Sequence, residues 1–184
     1  VPDALDGATR TGVEPASSAV DAVADVEVVV TMLPMGCHVL DLYDTVLSAA
    51  RPGTLLVDCS TIDVADARTA HERAAAAGMR ALDAPVSGGV VGAEAATLTF
   101  MVGGGEAEFA EARPLLEAMG KKAVHCGGAG AGQAAKICNN MILGVSMIAV
   151  SEAFVLGESL GLSHQALYDV ASTASGQCWA LSVN

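Results

Sequence analysis

The hydrophobic period of this chain changes once, and that change limits its fold more than any other feature. Up to Cys126, short β-branched runs alternate with helical patterns; beyond a glycine-rich segment, Gly127–Gly132, only helical patterns follow. Val26–Thr31 and Thr54–Val57 are continuous apolar runs of the kind buried on both faces of a parallel sheet. Met79–Leu82, Leu98–Val102 and Lys122–Cys126 read as further strands. Helices are predicted between them over Ser17–Ala24, His38–Ala50, Asp63–Ala77 and Glu106–Met119. Ser17 or Ser18 is the N-cap of the first, Gly78 stops the third at C′, and acids favour the start of the fourth. Val1–Pro15 is turn-rich. The alternation predicts an α/β domain, a doubly wound parallel sheet, over 1–127. The start of an all-α domain follows over 128–184, with helices over Gln133–Leu160 and, capped by Ser163, over Ser163–Ala174.

A length of 184 residues is enough for one to two domains and a real core, and 52% apolar with 16% charged residues excludes disorder. A net charge of −12 and 3% aromatics argue against nucleic acid, which needs a basic face and rings to stack on. Cys37, Cys59, Cys126, Cys138 and Cys178 are odd in number and form no Cys-x-x-Cys, so they read as reduced thiols in a cytosol-like compartment. His125 and Cys126 with Cys138 are the best metal-ligand grouping; it lacks zinc spacing, and no metal is expected. The longest strongly apolar run, Met141–Val150, is broken by Gly144 and Ser146 and falls short of the about 20 residues a bilayer requires. No signal peptide is visible, and no membrane partner is expected.

In open parallel sheets, ligands bind beyond the carboxyl ends of the strands. Three predicted strands end there in unusual turns: Thr31-Met32-Leu33-Pro34, Asp58-Cys59-Ser60-Thr61 and Asp83-Ala84-Pro85-Val86-Ser87-Gly88-Gly89. The two glycines of the last let backbone N–H groups approach an anion closely, and Ser87 adds a hydroxyl donor, chemistry suited to a small carboxylate. A plain glycine-rich loop is the alternative. Ser60, Thr61 or Asp63 can equally cap the following helix, and Pro34 can simply stop a strand. On the helix after the glycines, Gln133, Lys136 and Asn140 form one polar stripe. Their polar groups need partners from the protein or from a substrate. Gly130-x-Gly132-x-x-Ala135 fits a dinucleotide fingerprint, with Glu152 twenty residues beyond Gly132, but no strand follows and the match is rejected.

Gly-x-x-Gly-x-Gly-x-x-x-Lys-x-x-x-Asn, at Gly127, Gly130, Gly132, Lys136 and Asn140, resembles the catalytic-lysine motif of the β-hydroxyacid dehydrogenases. Asp83-Ala84-Pro85-Val86-Ser87-Gly88-Gly89 resembles the substrate-binding motif of the same family. The other two turns, and Ser175-Gly176-Gln177-Cys178-Trp179, fit it more weakly; read alone, that last stretch is a helix-ending turn with a packed Trp. The resemblance implies a Rossmann-like domain binding NAD or NADP. It implies that Lys136 is the general acid/base, that Asn140 orients the substrate, and that Ser87, Gly88 and Gly89 hold its carboxylate. Leu33, Pro34, Thr61 and His38 then face the cofactor, although His38 and Val64 stand where relatives usually have Asn and Pro, and His38 reads equally as a solvated residue at a helix start. The implied reaction is oxidation of a 3-hydroxy carboxylate, 3-hydroxyisobutyrate first, to its semialdehyde, with tartronate semialdehyde reduction as the alternative. A homo-oligomer is implied at full length, in the cytoplasm or, in a eukaryote, the mitochondrial matrix. The family opens with a strand, Gly-x-Gly-x-x-Gly and a helix, and continues past the equivalent of Asn184, so an internal fragment is expected. The NAD-versus-NADP determinant then lies upstream. A non-catalytic binding module and an inert fragment are the competing readings, and Lys136 argues against the former.

Overall fold

The computed structural model of the chain describes residues 7–182. It divides into two compact units, Val1–Lys136 and Ile137–Asn184. In the first unit the elements follow α1 (Ala19–Val23), β1 (Val28–Thr31), α2 (Gly36–Val46), β2 (Leu55–Asp58), α3 (Val64–Ala76), β3 (Arg80–Asp83), β4 (Val86–Ser87), α4 (Gly89–Glu94), β5 (Leu98–Gly104), α5 (Glu106–Met119) and β6 (Gly120–Gly127). Helix α6 (Ala131–Ser159) then begins. The expected caps are in place. Ser18 accepts a hydrogen bond from the Asp21 N–H at 3.1 Å, and Gly78, at φ 75°, ends α3. The turn-rich opening falls partly outside the described residues; within them, 7–10 are helical.

The doubly wound α/β sheet is present. Leu55, Val57 and Leu82 point to one core, with Phe100, Val102 and Leu116, whereas Leu56 and Ala81 point to the other, with Val39, Tyr43 and Ala70. This period-2 sorting explains the unbroken apolar runs, since both faces are covered by helices. Strand β2 is buried throughout. Strand β1 is not, contrary to expectation: Val28 and Val29 are half-buried and Val30 is exposed. It pairs only with β2 among the described residues, so its outer edge lacks cover.

The sheet is mixed rather than wholly parallel. Strands β1, β2 and β3 are parallel, and so are β5 and β6, but β3 and β4 both run antiparallel to β5. A parallel crossover needs a dozen or more residues, usually built around a full helix. The link after β3 instead stays in the sheet, and its helix, α4, has only six residues. Leu82 and Asp83 face Gly104 and Gly103, and Val86 and Ser87 face Phe100 and Thr99, in one unbroken register. The Met101 N–H donates to the Pro85 carbonyl between them at 3.0 Å. Asp83–Ser87, expected to be a turn, is therefore extended strand, and the reversal begins at Gly88.

The second unit holds the rest of α6, α7 (His164–Ala171) and α8 (Trp179–Ser182). Ser163 caps α7 as expected, accepting from the Ala166 N–H at 3.2 Å. Trp179, expected to be packed, is 55% exposed. Helix α6 has 29 residues and contains an 18-residue window with a mean hydropathy of 1.7, so by length and composition alone it is long and apolar enough to cross a membrane. Met141–Val150 is only part of that stretch. Met141, Ile142, Val145, Ile148 and Val155 on it are exposed.

Gly132, in the first turn of α6, offers a test of this packing. Alanine is favoured over glycine inside a helix by about 1 kcal/mol. Here, however, a Cβ would overlap the Met101 carbonyl and sit 2.6 Å from that of Asp83. Overpacking costs about 1–3 kcal/mol, so Gly132→Ala is expected to lower the urea unfolding midpoint despite the better helix propensity. A higher midpoint would show that the joint is loosely packed.

Candidate active site

The carboxyl ends of β1, β2 and β3 are joined by buried polar bonds. Asp58, 3% exposed, accepts from the Thr31 hydroxyl at 2.7 Å and the Ser60 hydroxyl at 2.6 Å. Ser60 in turn accepts from the Leu33 N–H at 2.8 Å. Ser60 is thereby occupied, and the cap of α3 falls to Asp63, which accepts from the Ala65 N–H at 2.7 Å. Of the three candidates for that cap, Thr61 alone makes no hydrogen bond to another described residue, and it is exposed. Leu33 is half-buried against the core, while Pro34 and His38 are exposed.

A second buried carboxylate organises the start of α6. That helix begins in Gly128-Ala129-Gly130-Ala131, with no Ser, Thr, Asp or Asn to cap it. Asp83, 2% exposed at the end of β3, supplies the cap from 50 residues away. It accepts from the Gly130 N–H at 2.8 Å and the Gln133 N–H at 3.0 Å, and pairs with His71 at 3.1 Å. A negative group at a helix N-terminus also gains from the dipole. Close approach requires the glycines: a Cβ at Gly103 would clash with the Asp83 carboxylate and lie 2.7 Å from the Gly132 nitrogen. The glycine segment is thus packed against the ends of β3 and β5.

The result is the placement of Lys136. Its Nζ donates to the Val86 carbonyl at 2.6 Å, directly beside Ser87-Gly88-Gly89. Burial pushes its pKa below the ordinary lysine value. No carboxylate pairs with it among the described residues. A neutral amine can keep one N–H on Val86 and still offer a lone pair to a proton. In the adjacent turn, Gly88 has φ 135° and Gly89 φ 61°, and no side chain caps α4. Ser87 is half-buried, and its hydroxyl bonds to no other described residue. The structure therefore brings Lys136 together with Ser87, Gly88 and Gly89 in one unit. Asn140 lies four residues further along α6, exposed, in hydrogen-bond contact with Asn139 at 3.4 Å.

Two residues in this arrangement carry more than the sequence reading gave them. Asp83 was part of a motif, and Gln133 part of a stripe. Both are buried and fully engaged, Gln133 with the Ser60 carbonyl and the Ile62 N–H. Cys59, by contrast, is a core thiol whose pKa burial pushes up to about 12. Among the described residues no three His, Cys, Asp or Glu side chains group for a metal.

The Asp83 cap is open to direct measurement. Asp83→Asn must turn an amide NH2 toward one of the two N–H groups, leaving a buried donor unpaired. It is expected to cost about 1–3 kcal/mol in urea unfolding. An unchanged midpoint would mean that the two bonds do not secure the helix.

Residues 1–128 match the family described as the NAD binding domain of 6-phosphogluconate dehydrogenase. Residues 130–184 match the NAD-binding family of NADP-dependent 3-hydroxyisobutyrate dehydrogenase. A Mycobacterium tuberculosis protein named as a probable 3-hydroxyisobutyrate dehydrogenase is 58% identical over 183 residues, covering 100% of this chain and 62% of its own length. A Pseudomonas aeruginosa NAD-dependent L-serine dehydrogenase is 48% identical over 186 residues, covering 100% of the chain and 62% of its own length. The structure of Mycobacterium tuberculosis 3-hydroxyisobutyrate dehydrogenase with L-serine superposes with a TM-score of 0.97 at 58% identity, covering 100% of this chain and 63% of that one. The chain thus spans less than two thirds of the length of these relatives. With a Rossmann-like sheet, both motifs in place and two family matches along its length, the chain belongs to the β-hydroxyacid dehydrogenase family of NAD(P)-binding proteins.

Proposed function

We propose that the intact protein oxidises a 3-hydroxy carboxylate with NAD or NADP, and that Lys136 is its general acid/base. The observation that carries this reading is the 2.6 Å bond from the Lys136 Nζ to the Val86 carbonyl, beside the Ser87-Gly88-Gly89 turn. A carboxylate received by the N–H groups of that turn and the Ser87 hydroxyl brings a hydroxyl two carbons away toward Lys136. The neutral amine takes the hydroxyl proton, and desolvation favours that neutral form. Half-buried Leu33 and exposed Pro34 and Thr61, at the ends of β1 and β2, fit the nicotinamide side of the cofactor, as the carboxyl edge of such a sheet should. When bound, the nicotinamide supplies the hydride acceptor, so hydride and proton leave separately and the carbinol becomes an aldehyde. Asn140 has the spacing to orient the substrate, one helical turn after Lys136.

3-Hydroxyisobutyrate is the first substrate to test. L-Serine is the second, because one relative is named an L-serine dehydrogenase and one solved relative holds L-serine. Both share a carboxylate and a 3-hydroxyl and differ at carbon 2. The exposed apolar residues of α6 support a homo-oligomer in the intact protein. The charge of −12 fits a small-molecule enzyme rather than a nucleic-acid binder.

In the intact protein, Lys136→Met is expected to lose about 10²–10⁴ in kcat with an unchanged circular dichroism spectrum. Retained turnover would remove Lys136 from the mechanism. Ser87→Ala should raise KM for the hydroxy acid more than it lowers kcat. Gly88→Val should be worse, because a Cβ there lies 3.1 Å from Leu98 at a φ that β-branched residues resist. Normal substrate binding by Gly88→Val, or equal turnover of the decarboxylated alcohol, would sink the carboxylate assignment.

A further inference from the structure

Gln133 is 0% exposed, yet it is a polar side chain on the helix that carries Lys136. Its Nε2 donates to the Ser60 carbonyl at 2.7 Å, and its Oε1 accepts from the Ile62 N–H at 3.1 Å. Only one orientation of the amide satisfies both bonds. The two anchor points flank Thr61 on either side. The residue that clamps this turn therefore sits one helical turn before Lys136, and its own N–H is held by Asp83. Ser60 is also tied to Leu33, so one amide reaches both of the loops assigned to the cofactor.

We propose that Gln133 is a positioning residue that fixes the cofactor-facing turn Ser60-Thr61-Ile62 against the lysine helix, and so sets the separation of nicotinamide and acid/base. This rests on the reading of Lys136 and Thr61 above. The substrate turn has separate support. Val86 and Ser87 are held by the register with β5, and neither Ser87 nor Gly88 bonds to Gln133. Loss of the Gln133 amide should therefore disturb cofactor binding and turnover while leaving carboxylate recognition alone. A purely structural role would lower the folded fraction and change no constant per folded molecule.

The test uses the intact protein with Gln133→Leu, which keeps the bulk and removes both bonds, and Gln133→Glu, which keeps the acceptor for Ile62 but loses the donor to Ser60. Leu116→Ala, a core change on the other face of the sheet, serves as the destabilised control. Four quantities are read: NADH Kd by fluorescence titration, hydrogen exchange of the 60–62 amides, and kcat and KM per folded molecule. For both Gln133 variants, the expected result is a rise in Kd and a fall in kcat of about tenfold each, faster exchange at 60–62, and KM for the hydroxy acid within about twofold. Leu116→Ala should change none of these constants. Wild-type Kd, exchange and kcat in Gln133→Leu would overturn the proposal, and so would the same changes in Leu116→Ala. If Lys136→Met stays active while Gln133→Leu loses NADH affinity and turn protection, the acid/base reading fails and the Gln133 clamp survives. If Lys136→Met is dead and Gln133→Leu is normal, the clamp alone fails.

Discussion

The carboxylate of Asp83 is the contact on which the site depends. It closes the end of β3 and, at 2.8 and 3.0 Å, takes the N–H groups of Gly130, just before α6, and of Gln133, in its first turn. A helix N-terminus left uncapped in a buried joint would cost several unsatisfied donors. Charge-assisted bonds net about 1.5–3 kcal/mol each, more than the local propensities of a Gly-Ala stretch can offer. The direction of α6 is therefore set by a residue of the sheet. Gly103 and Gly132 are small because the helix start must reach that carboxylate past the β5 backbone.

Chemistry follows from this packing through two rigid paths. One runs along the strand: β3 continues through Ala84 and Pro85 into β4 in a single register with β5, which delivers Ser87-Gly88-Gly89. The other runs from Asp83 up the first turn of α6 to Lys136. They meet at the Val86 carbonyl. Because both paths begin at Asp83, the lysine and the glycine turn are placed relative to each other by a handful of residues rather than by loop conformation. A site built on strand and helix holds its geometry more closely than one built on loops.

Much of this is legible in the sequence where the signal is local. The period of the apolar residues fixes the strands, and Ser18, Gly78 and Ser163 mark helix ends by their own chemistry. What needs a partner is not legible in the same way. Val26–Thr31 has the composition of a central strand, but its burial depends on neighbours, and among the described residues β1 pairs on one side only. The antiparallel β5 escapes a reading based on alternation, although the short Gly89–Glu94 helix is too small for a parallel crossover. Lys136 and the glycine turn are visible as motifs; the bond from Lys136 to Val86 beside that turn, across 50 residues, is not. The role of Asp83 left one usable trace. A helix that opens on Gly-Ala-Gly-Ala needs its cap from elsewhere, and an acid ending an apolar strand is a natural donor of one. The clamp by Gln133 left less, since a glutamine on a helix stripe gives no sign of which turn it will meet.

One unit of this chain holds an amine beside a glycine turn whose N–H groups can receive the carboxylate of a small hydroxy acid. A crystal structure of the intact protein with NAD⁺ and a slow 3-hydroxy acid tests it most directly. The substrate carboxylate is expected on the N–H groups of Ser87, Gly88 and Gly89, with its hydroxyl in hydrogen-bond reach of the Lys136 Nζ, about 2.6–3.2 Å. A carboxylate bound elsewhere, or a hydroxyl turned away while Lys136 stays on Val86, would contradict it.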